Sequence, residues 1–466
     1  MSKASLAVAL LLGVIWWSAR SGPNPRQVRE RRTSRSSVPG GGVSSLASLF
    51  KRRQCPKTIL LGSTFFGRKY LPSTDSLLVF GPTRSGKTLR LALPLLDEFN
   101  GAAVATSVKQ DLYERSVAAR KKRGECCLFD LSDPKSAPWS LLSCIKDFRD
   151  AKEISDSLCK VAHSTSAEIE FWSRLGSKML APLLLAAKEL DASLGEMIGW
   201  IERQDFDYAF EGLLEAGHIE ARVALDAVMR LDQRAVSSVI ATLLSLMEPY
   251  SDPVVSDLLS REGIDLELLL DRRKANTLYI SSPLFRSERF YGVYEVFLRR
   301  VFDIAYRSDG GDPKILFLLD EIANIAPIQD LGKIASTCGG YGIVLVSVFQ
   351  DLTQLGAIYS ANAGTIVNNH RSKLLLSGIS DHATLDYAEK IVKRGNVSGE
   401  GSNPLFDLRL GTGLYIQANA KPVRLQLRPF PRQAPYRLCA ALARFRRQSR
   451  RRPSSSPKAA GRFLRG

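Results

Sequence analysis

The amino-acid sequence predicts a mixed α/β fold in which helices flank a mainly parallel β-sheet. Short apolar segments of strand length, such as residues 76–80, 315–319 and 343–349, alternate with longer amphipathic segments. This alternation is typical of parallel strands that are connected by helices. Between residues 147 and 270 the strand-like segments disappear and long amphipathic segments replace them. We therefore expect an all-α domain inserted into the sheet domain.

The same patterns divide the chain into six parts. They are a membrane anchor (1–19), a basic flexible linker (20–57), the first part of a nucleotide-binding domain (58–146), the inserted all-α domain (147–270), the second part of the nucleotide-binding domain (271–439) and a basic disordered tail (440–466). Further strands are expected at 102–106, 126–130, 277–280, 373–377 and 414–417, and long helices at 171–190, 219–231 and 236–248. Basic residues 120–123 are expected to be the solvated end of the helix at 112–122.

The N-terminal residues have the composition of a membrane anchor. Residues 4–19 carry no charge and include Trp16 and Trp17, and six arginines follow between residues 20 and 35. A spanning helix needs about 20 apolar residues, and a basic cluster behind it is usually retained in the cytoplasm. We expect one membrane helix with its N-terminus outside and the protein body in the cytoplasm, at the plasma membrane. A cleaved signal peptide and a helix lying in the interface are the alternatives.

The net charge of +18 lies in the two flanks of the chain. Residues 20–57 carry +9 and residues 440–466 carry another +9, whereas residues 58–439 sum to −1. This distribution excludes a uniformly basic, histone-like protein. The basic flanks suit either anionic lipid or the phosphates of nucleic acid, and composition does not separate the two.

The seven cysteines are scattered and form no CxxC pair. This spacing argues against a disulfide framework and against a zinc site. We expect reduced, buried thiols in a cytosolic protein body.

A phosphate-binding loop follows the first predicted strand. Residues 81–88, GPTRSGKT, match the pattern GxxxxGK[ST] and lie between an apolar strand and a helix-forming segment, which is the context that this motif requires. Backbone N–H groups of such a loop surround the β-phosphate. Lys87 is expected to reach the β- and γ-phosphates of ATP, and the Thr88 hydroxyl to bind Mg²⁺. The predicted nucleotide-binding residues are Gly81, Pro82, Thr83, Arg84, Ser85, Gly86, Lys87 and Thr88.

Two carboxylates follow a second apolar strand. Asp320 and Glu321 come directly after residues 315–319, and packing alone does not explain two adjacent acids at the end of a buried strand. We expect Asp320 to hold the water shell of Mg²⁺ and Glu321 to polarise the attacking water, because a double acid is typical of hydrolysing ATPases. The strand at 343–349 ends at Gln350, whose amide could sense the γ-phosphate or simply cap the strand.

Four segments resemble TraG-type conjugative coupling proteins, the coupling ATPases of type IV secretion systems, in an actinobacterial-like form. They are residues 108–130, 170–187, 317–355 and 367–385. The resemblance implies a RecA-like P-loop ATPase domain with an inserted all-α domain, an inner-membrane anchor and a homo-oligomer, a hexameric ring. It also implies that the protein passes a relaxase–DNA complex into the secretion channel and binds DNA, in single-stranded form, without sequence preference.

By the same resemblance Gln350 matches the sensor glutamine, but the chain departs from the family in two places. Many members have an arginine just before the "YG" that follows the acidic motif, and it is thought to act on the nucleotide of a neighbouring subunit. Here residues 338–342 are CGGYG, and Arg371 is the first candidate for that role, with a structural ion pair as the alternative. Members also commonly have two or more membrane helices, whereas this chain has one short apolar segment.

Three functions are compatible with these motifs. The first is an ATP-driven DNA translocase for conjugation, in which loops in a central pore hold DNA phosphates. The second is a double-stranded DNA pump of the FtsK type, against which the helical insertion argues. The third is a platform that binds nucleotide and recruits protein cargo for secretion without moving DNA.

Overall fold

The structure is a computed structural model, and it describes residues 59–64, 67–72, 75–159, 167–282, 288–307, 315–394 and 404–429. The predicted membrane anchor, basic linker and basic tail lie outside these residues. Among the residues described, none of the helices combines the length and the apolar character that crossing a membrane requires.

Eleven strands in the described residues form one mixed β-sheet. In chain order they are β1 (Ile59–Thr64), β2 (Gly67–Leu71), β3 (Leu77–Phe80), β4 (Ala103–Ser107), β5 (Cys126–Phe129), β6 (Thr277–Ser281), β7 (Ile315–Leu319), β8 (Ile343–Phe349), β9 (Ser372–Leu376), β10 (Thr412–Gln417) and β11 (Val423–Gln426). Their spatial order is β2-β1-β11-β10-β9-β3-β8-β7-β4-β6-β5. The seven neighbouring strands from β9 to β5 are parallel. The predicted mainly parallel sheet is confirmed.

The parallel strands are apolar because both of their faces are covered. All seven residues of β8 are buried, and all five of β7. Successive residues of β3 point to opposite faces, so that Leu78 and Phe80 belong to one core and Leu77 and Val79 to the other. Burial on two faces therefore explains the short, uninterrupted apolar segments in the sequence.

Four antiparallel strands extend the sheet beyond β9, and three of them were not predicted. Only β10 had been expected. Strands β2 and β11 contain charged and exposed positions, and β1 has only three consecutive apolar residues, followed by Gly, Ser and Thr. Because β10 runs antiparallel to β9, with Gly413 paired to Leu376, the start of β10 lies at the carboxyl edge of the parallel strands. The antiparallel strands thus bring residues near 411 to the edge where β3 ends.

Sixteen α-helices in the described residues connect the strands. They are α1 (Leu93–Glu98), α2 (Asp111–Arg120), α3 (Phe148–Leu158), α4 (Ala167–Glu189), α5 (Leu194–Arg203), α6 (Asp207–Glu215), α7 (Ile219–Met229), α8 (Gln233–Met247), α9 (Pro253–Ser260), α10 (Leu266–Leu269), α11 (Tyr291–Arg307), α12 (Ile322–Ile325), α13 (Leu331–Thr337), α14 (Leu352–Tyr359), α15 (Ala363–Asn369) and α16 (His382–Arg394). Helices α3 to α10 lie between β5 and β6, and the described part of that segment contains no strand.

Polar caps begin several helices of this segment. Asp147 accepts hydrogen bonds from two backbone N–H groups at the start of α3, and Asp232 and Asp252 do the same for α8 and α9. Ser193 and Glu196 form a reciprocal capping box at α5. Because such caps satisfy N–H groups that lack partners within the helix, they explain why the segment divides into many short helices.

The helical segment shares a core with the sheet. Leu183 and Leu184 of the central helix α4 belong to the same continuous cluster of buried side chains as Phe80 and Phe317 of the sheet. The second cluster covers the opposite face and contains Leu93 of α1 and Leu112 of α2. The helical segment therefore packs on one face of the sheet, and α1 and α2 pack on the other.

One expectation about the basic residues 120–123 is wrong. Arg120 is fully buried and donates hydrogen bonds to Thr277 and to the backbone carbonyls of Leu96, Phe99, Gly101, Ala275 and Asn276. Lys121, Lys122 and Arg123 are exposed as expected. A buried guanidinium is tolerated here because carbonyl groups surround it.

The cysteines of the described residues are free thiols, as expected. Cys159 and Cys338 are buried, whereas Cys126, Cys127 and Cys144 are partly exposed. Burial raises the pKa of the Cys159 thiol to about 12. The prediction of burial is therefore confirmed for two of these five cysteines.

Candidate nucleotide-binding site

The glycine loop at residues 81–88 begins where β3 ends. Its first residue, Gly81, donates a backbone hydrogen bond of 3.1 Å to the carbonyl of Phe349, the last residue of the neighbouring strand β8. A Cβ atom at Gly81 would lie 2.8 Å from Ser85 Oγ and 2.8 Å from Leu376 Cδ1, so a side chain does not fit there. Gly86 has a φ angle of 94°, a value that favours glycine. Gly81 is therefore required because neighbouring side chains approach its Cα closely, and Gly86 because of its backbone conformation.

Lys87 is turned back onto its own loop. The side chain is buried, and its Nζ donates hydrogen bonds to the carbonyls of Gly81 at 2.7 Å and of Pro82 at 3.4 Å. These are weak acceptors compared with a phosphate, because bonds between two ionised groups are stronger. A buried ammonium held only by neutral carbonyls is thus suited to exchange them for an anion.

The helix after the loop begins with a wide turn. Residues Thr88–Ala92 form a π-helical turn in which the N–H of Leu93 donates to the carbonyl of Thr88, and α1 continues from Leu93. Pro94 has no N–H group and cannot donate to the carbonyl four residues before it, which accounts for the departure from α-helical bonding. Thr88 lies half-buried at the start of this turn. Wide turns of this kind are frequent at functional sites.

The acidic pair lies at the same edge of the sheet, two strands away from β3. Asp320 follows β7 and is buried, and its carbonyl accepts a hydrogen bond of 2.9 Å from Thr106 Oγ1 of β4. Burial, and next the nearby charge of Glu321, raise the pKa of Asp320 to about 7, and the positive charge of Lys87 opposes this rise. The fold therefore brings Lys87 and Asp320 within electrostatic reach, although 232 positions of sequence separate them.

Two buried oxygens, one in the glycine loop and one in the acidic pair, lack hydrogen-bond partners. Ser85 Oγ and Asp320 Oδ1 have none among the residues that the structure describes. Buried polar atoms are nearly always hydrogen-bonded, so these two atoms indicate a polar ligand. Carboxylate and hydroxyl oxygens are ligands that Mg²⁺ prefers, and the donor set of Thr88 and Asp320 therefore fits a magnesium nucleotide.

Glu321 has an unusual backbone conformation. It is half-buried, its φ angle is 50°, and it precedes α12. Left-handed backbone conformations are uncommon for residues other than glycine and are found preferentially at active sites. The conformation directs the chain away from β7 immediately after Asp320.

Gln350 lies beside the glycine loop. It follows β8, the strand between β3 and β7, and the preceding residue accepts the hydrogen bond from Gly81. Its own N–H donates to Gln354 Oε1 at 2.8 Å. The side chain thus starts between the glycine loop and the acidic pair.

Arg371 is not near these residues within one subunit. It is exposed and precedes β9, whose first residue, Ser372, pairs with Leu77 at the amino end of β3. Arg371 therefore lies at the amino edge of the parallel strands, opposite to the loop at residues 81–88. A role on the nucleotide of a neighbouring subunit stays a prediction.

Sequence reasoning missed two residues of this edge. Asp111 begins α2 and its charge contributes to the raised pKa of Asp320, and Arg90 lies in the wide turn after Thr88. Asp111 follows the strand predicted at residues 102–106 and therefore lies near the carboxyl edge of the sheet. This position could have marked Asp111 as a candidate site residue. No sequence signal distinguished Arg90 from a helix-surface arginine.

A glycine loop and an acidic strand end at one edge of a mainly parallel sheet define the class of P-loop nucleotide-binding folds. Residues 47–403 match the family described as type IV secretory system conjugative DNA transfer. The chain belongs to this family.

Two similar proteins each match more than half of this chain. The protein VirD4 of Agrobacterium fabrum is 24% identical over 352 residues, which are 71% of this chain and 51% of VirD4. The conjugal transfer protein TraG of Escherichia coli is 23% identical over 311 residues, which are 60% of this chain and 49% of TraG. The chain thus spans about half the length of the curated relatives that it matches.

Solved structures of a coupling protein share the fold. The bacterial conjugative coupling protein TrwBdeltaN70, in its unbound monoclinic form, superimposes with a TM-score of 0.60 at 18% identity and covers 81% of this chain and 89% of its own. The plasmid coupling protein TrwB in complex with ADP and Mg²⁺ gives a TM-score of 0.58 at 17% identity, covering 77% and 86%. The mixed α/β architecture of the family is therefore present here.

Proposed function

We propose that this protein is the ATP-hydrolysing coupling protein of a conjugation system and drives DNA transfer through a type IV secretion channel. The observation that best supports the proposal is the meeting of Lys87 with Asp320 and Glu321 at one sheet edge, in a chain of the conjugative DNA transfer family. Two acids beside a phosphate-binding lysine suit hydrolysis better than a nucleotide switch.

Each residue of the site has a proposed task. The backbone of residues 81–88 surrounds the phosphates, and Lys87 releases the loop carbonyls to bind the β- and γ-phosphates. Thr88 and Asp320 hold Mg²⁺, which neutralises phosphate charge when it is bound. Glu321 orients and polarises the attacking water. Gln350 contacts the γ-phosphate, so that the end of β8 senses whether the γ-phosphate is bound.

The proposed assembly and partners follow from the family. We expect a hexamer in which Arg371 reaches the nucleotide of the neighbouring subunit, with pore loops holding single-stranded DNA by its phosphates. A relaxase and components of the secretion channel are the expected protein partners. Membrane anchoring by residues 4–19, with the body in the cytoplasm, and the domain boundaries at 147 and 270 belong to the same proposal.

The ATPase rate of the purified full chain tests the motor. We expect hydrolysis that single-stranded DNA stimulates and that Lys87→Ala abolishes, because the substitution removes the cation that binds the phosphates. An exposed lysine of the same chain, Lys122, provides the control, since Lys122→Ala removes equal charge from a position far from the loop in sequence. A rate indifferent to DNA would favour the recruiting platform, and stimulation by double-stranded DNA alone would favour a DNA pump.

A mating assay tests the role in transfer. Cells that carry Lys87→Ala should transfer no plasmid or element, while the variant protein remains in the membrane fraction. Transfer at the normal frequency would refute the motor. Co-purification of a relaxase with the full chain would support the coupling role.

A further inference from the structure

Arg90 occupies a slot formed by two glycines. A Cβ atom on Gly86 would lie 3.1 Å from Arg90 Cδ, and one on Gly411 would lie 2.7 Å from Arg90 Nη1. The φ angles of the two glycines are 94° and 88°, which other residues rarely adopt. The side chain of Arg90 thus lies against the backbone of the glycine loop on one side and of residue 411 on the other.

The guanidinium of Arg90 has no hydrogen-bond or ion-pair partner within the ranges that the structure describes. Two other partly or fully buried arginines differ: Arg120 is bonded to carbonyls and Arg428 to Glu98. The acid nearest to Gly411 in the sequence, Asp407, is paired with Arg424. Since a guanidinium carries five N–H donors, Arg90 has donors free for a ligand.

The strand order determines which end of a nucleotide would face Arg90. Strand β8 and then β7, with Asp320 and Glu321, lie on one side of β3, and β9 and then β10 lie on the other. The γ-phosphate has to face the carboxylates that hold its metal ion. The rest of the nucleotide must then extend toward β9 and β10, which is the side of Gly411 and Arg90.

The loop before β10 adds exposed apolar side chains to this side. Phe406 and Leu410 are 66% and 64% exposed, and Leu89, next to Arg90, is 41% exposed. Large apolar groups that stay exposed beside a ligand site commonly contact the ligand. Aromatic and aliphatic groups next to an arginine suit the flat face of a nucleobase.

We infer that Arg90 donates hydrogen bonds to the α-phosphate end of the bound nucleotide, and that Phe406 and Leu410 contact its base. The inference rests on the proposed ATP binding and extends it to residues outside the phosphate-binding motif. Lys87 and Arg90 then divide the phosphates between them: Lys87 binds the β- and γ-phosphates on the acidic side, and Arg90 binds the opposite end. Arg90 acts in binding and not on the bond that breaks.

Nucleotide binding and turnover of Arg90→Gln in the full chain test this division. Titration calorimetry with ADP and with ATP, both with Mg²⁺, should show that both bind roughly 10- to 100-fold more weakly, the range for a lost charged hydrogen bond. The kcat at saturating ATP should stay within about twofold of wild type, since the γ-phosphate keeps its contacts. A reduced kcat with unchanged ADP affinity would overturn the inference.

Three further variants separate binding from charge and folding. Arg90→Lys should recover part of the ADP affinity, and Gly411→Ala should weaken ADP binding without any loss of charge, because its Cβ displaces the guanidinium. Arg115→Gln, on the exposed face of α2, is the matched control and should bind ADP as wild type does. Wild-type ADP affinity in Arg90→Gln would overturn the inference, whatever the melting temperature of that variant.

The outcome for Lys87→Ala distinguishes this inference from the proposed function. Suppose that the wild-type chain binds ADP and that Lys87→Ala hydrolyses no ATP. If Arg90→Gln then binds ADP as wild type does, only the role of Arg90 is refuted. If the wild-type chain binds neither ADP nor ATP, the proposed function fails, and the inference fails with it.

Replacement of Phe406 tests the base contact separately. Phe406→Ala should weaken ADP binding roughly 5- to 150-fold, because stacking on a base contributes about 1–3 kcal/mol. Binding of inorganic pyrophosphate, which has no base, should remain at the wild-type level. Equal losses for ADP and pyrophosphate, or no loss of ADP binding, would overturn the assignment of Phe406 to the base.

Discussion

Arg120 offers a sharp test of how the sheet edge is held together. Its guanidinium is fully buried at the end of α2. It is hydrogen-bonded both to the loop that follows α1 and to the segment that precedes β6. Replacement by methionine preserves much of the volume and removes all hydrogen-bond donors. The buried acceptors that Arg120 satisfies, such as the carbonyl of Gly101, would then lose that hydrogen bond.

The magnitude follows from the acceptors that Arg120 satisfies. Three buried acceptors would lose their bond from Arg120: Thr277 Oγ1 at 2.7 Å and the carbonyls of Leu96 at 3.3 Å and Gly101 at 2.8 Å. The carbonyl of Asn276 keeps a hydrogen bond from the N–H of Ala103. At about 1.5 kcal/mol for each buried group left unsatisfied, the loss is about 4.5 kcal/mol. Burial, the leading cause, lowers the pKa of Arg120, and relief from burying this charge offsets a part of the loss. We expect Arg120→Met to lower the free energy of unfolding by about 3 kcal/mol.

Thermal and urea denaturation of the full chain, followed by tryptophan fluorescence, measure this change. The melting temperature should fall by roughly 6–12 °C, at about 2–4 °C for each kcal/mol in a domain of 150–250 residues. Arg115→Met on the exposed face of the same helix should change stability by less than about 0.5 kcal/mol. If Arg120→Met were as stable as wild type, the hydrogen bonds of the buried guanidinium would not be what stabilises this region.

Three further predictions concern catalysis, oligomerisation and a helix cap, and a fourth concerns the tail. Glu321→Gln should bind ATP and hydrolyse it at least about 100-fold more slowly, as expected for loss of a general base; wild-type turnover would remove Glu321 from catalysis. Arg371→Ala subunits should regain ATPase activity when mixed with Lys87→Ala subunits, since each supplies what its neighbour lacks, and an inactive mixture would contradict a role in trans. Ser193→Ala should cost about 1 kcal/mol of stability through the lost cap, and an unchanged melting temperature would contradict this. Deletion of residues 440–466 should leave DNA-stimulated ATPase intact while lowering affinity for anionic vesicles or DNA, and unchanged affinity for both would exclude the tail from binding.

Much of the candidate site could be predicted because its chemistry depends on short local patterns. The glycine loop requires Gly81 and Gly86 for steric reasons that act within a few residues, and Asp320 follows a strand that is recognisable by its apolar character. Parallel strands end at a common edge, so the prediction that these residues meet needed no knowledge of the strand order. The positions of β7 and β8 agreed with the sequence to the residue.

The features that could not be predicted depend on contacts between distant segments. Strands β1, β2 and β11 form because they extend an existing sheet, and their own sequences lack a two-sided apolar pattern. Arg120 and Arg90 are both arginines on helices with ordinary surroundings in the sequence. Arg120 is enclosed by carbonyls of two separate segments, residues 96–101 and 275–276. Arg90 lies against a glycine more than 300 residues away.

The sequence by itself therefore determined the class of the protein and the residues proposed to bind phosphate and magnesium, because those properties reside in local patterns of glycine, lysine, aspartate and strand hydrophobicity. Only the tertiary structure decided how these residues are arranged across the sheet. It placed Arg90 on the side opposite to the acidic pair and Arg371 at the far edge, and it buried Arg120. The physical reason is that strand order and burial result from pairings between segments far apart in the chain, which no local pattern specifies.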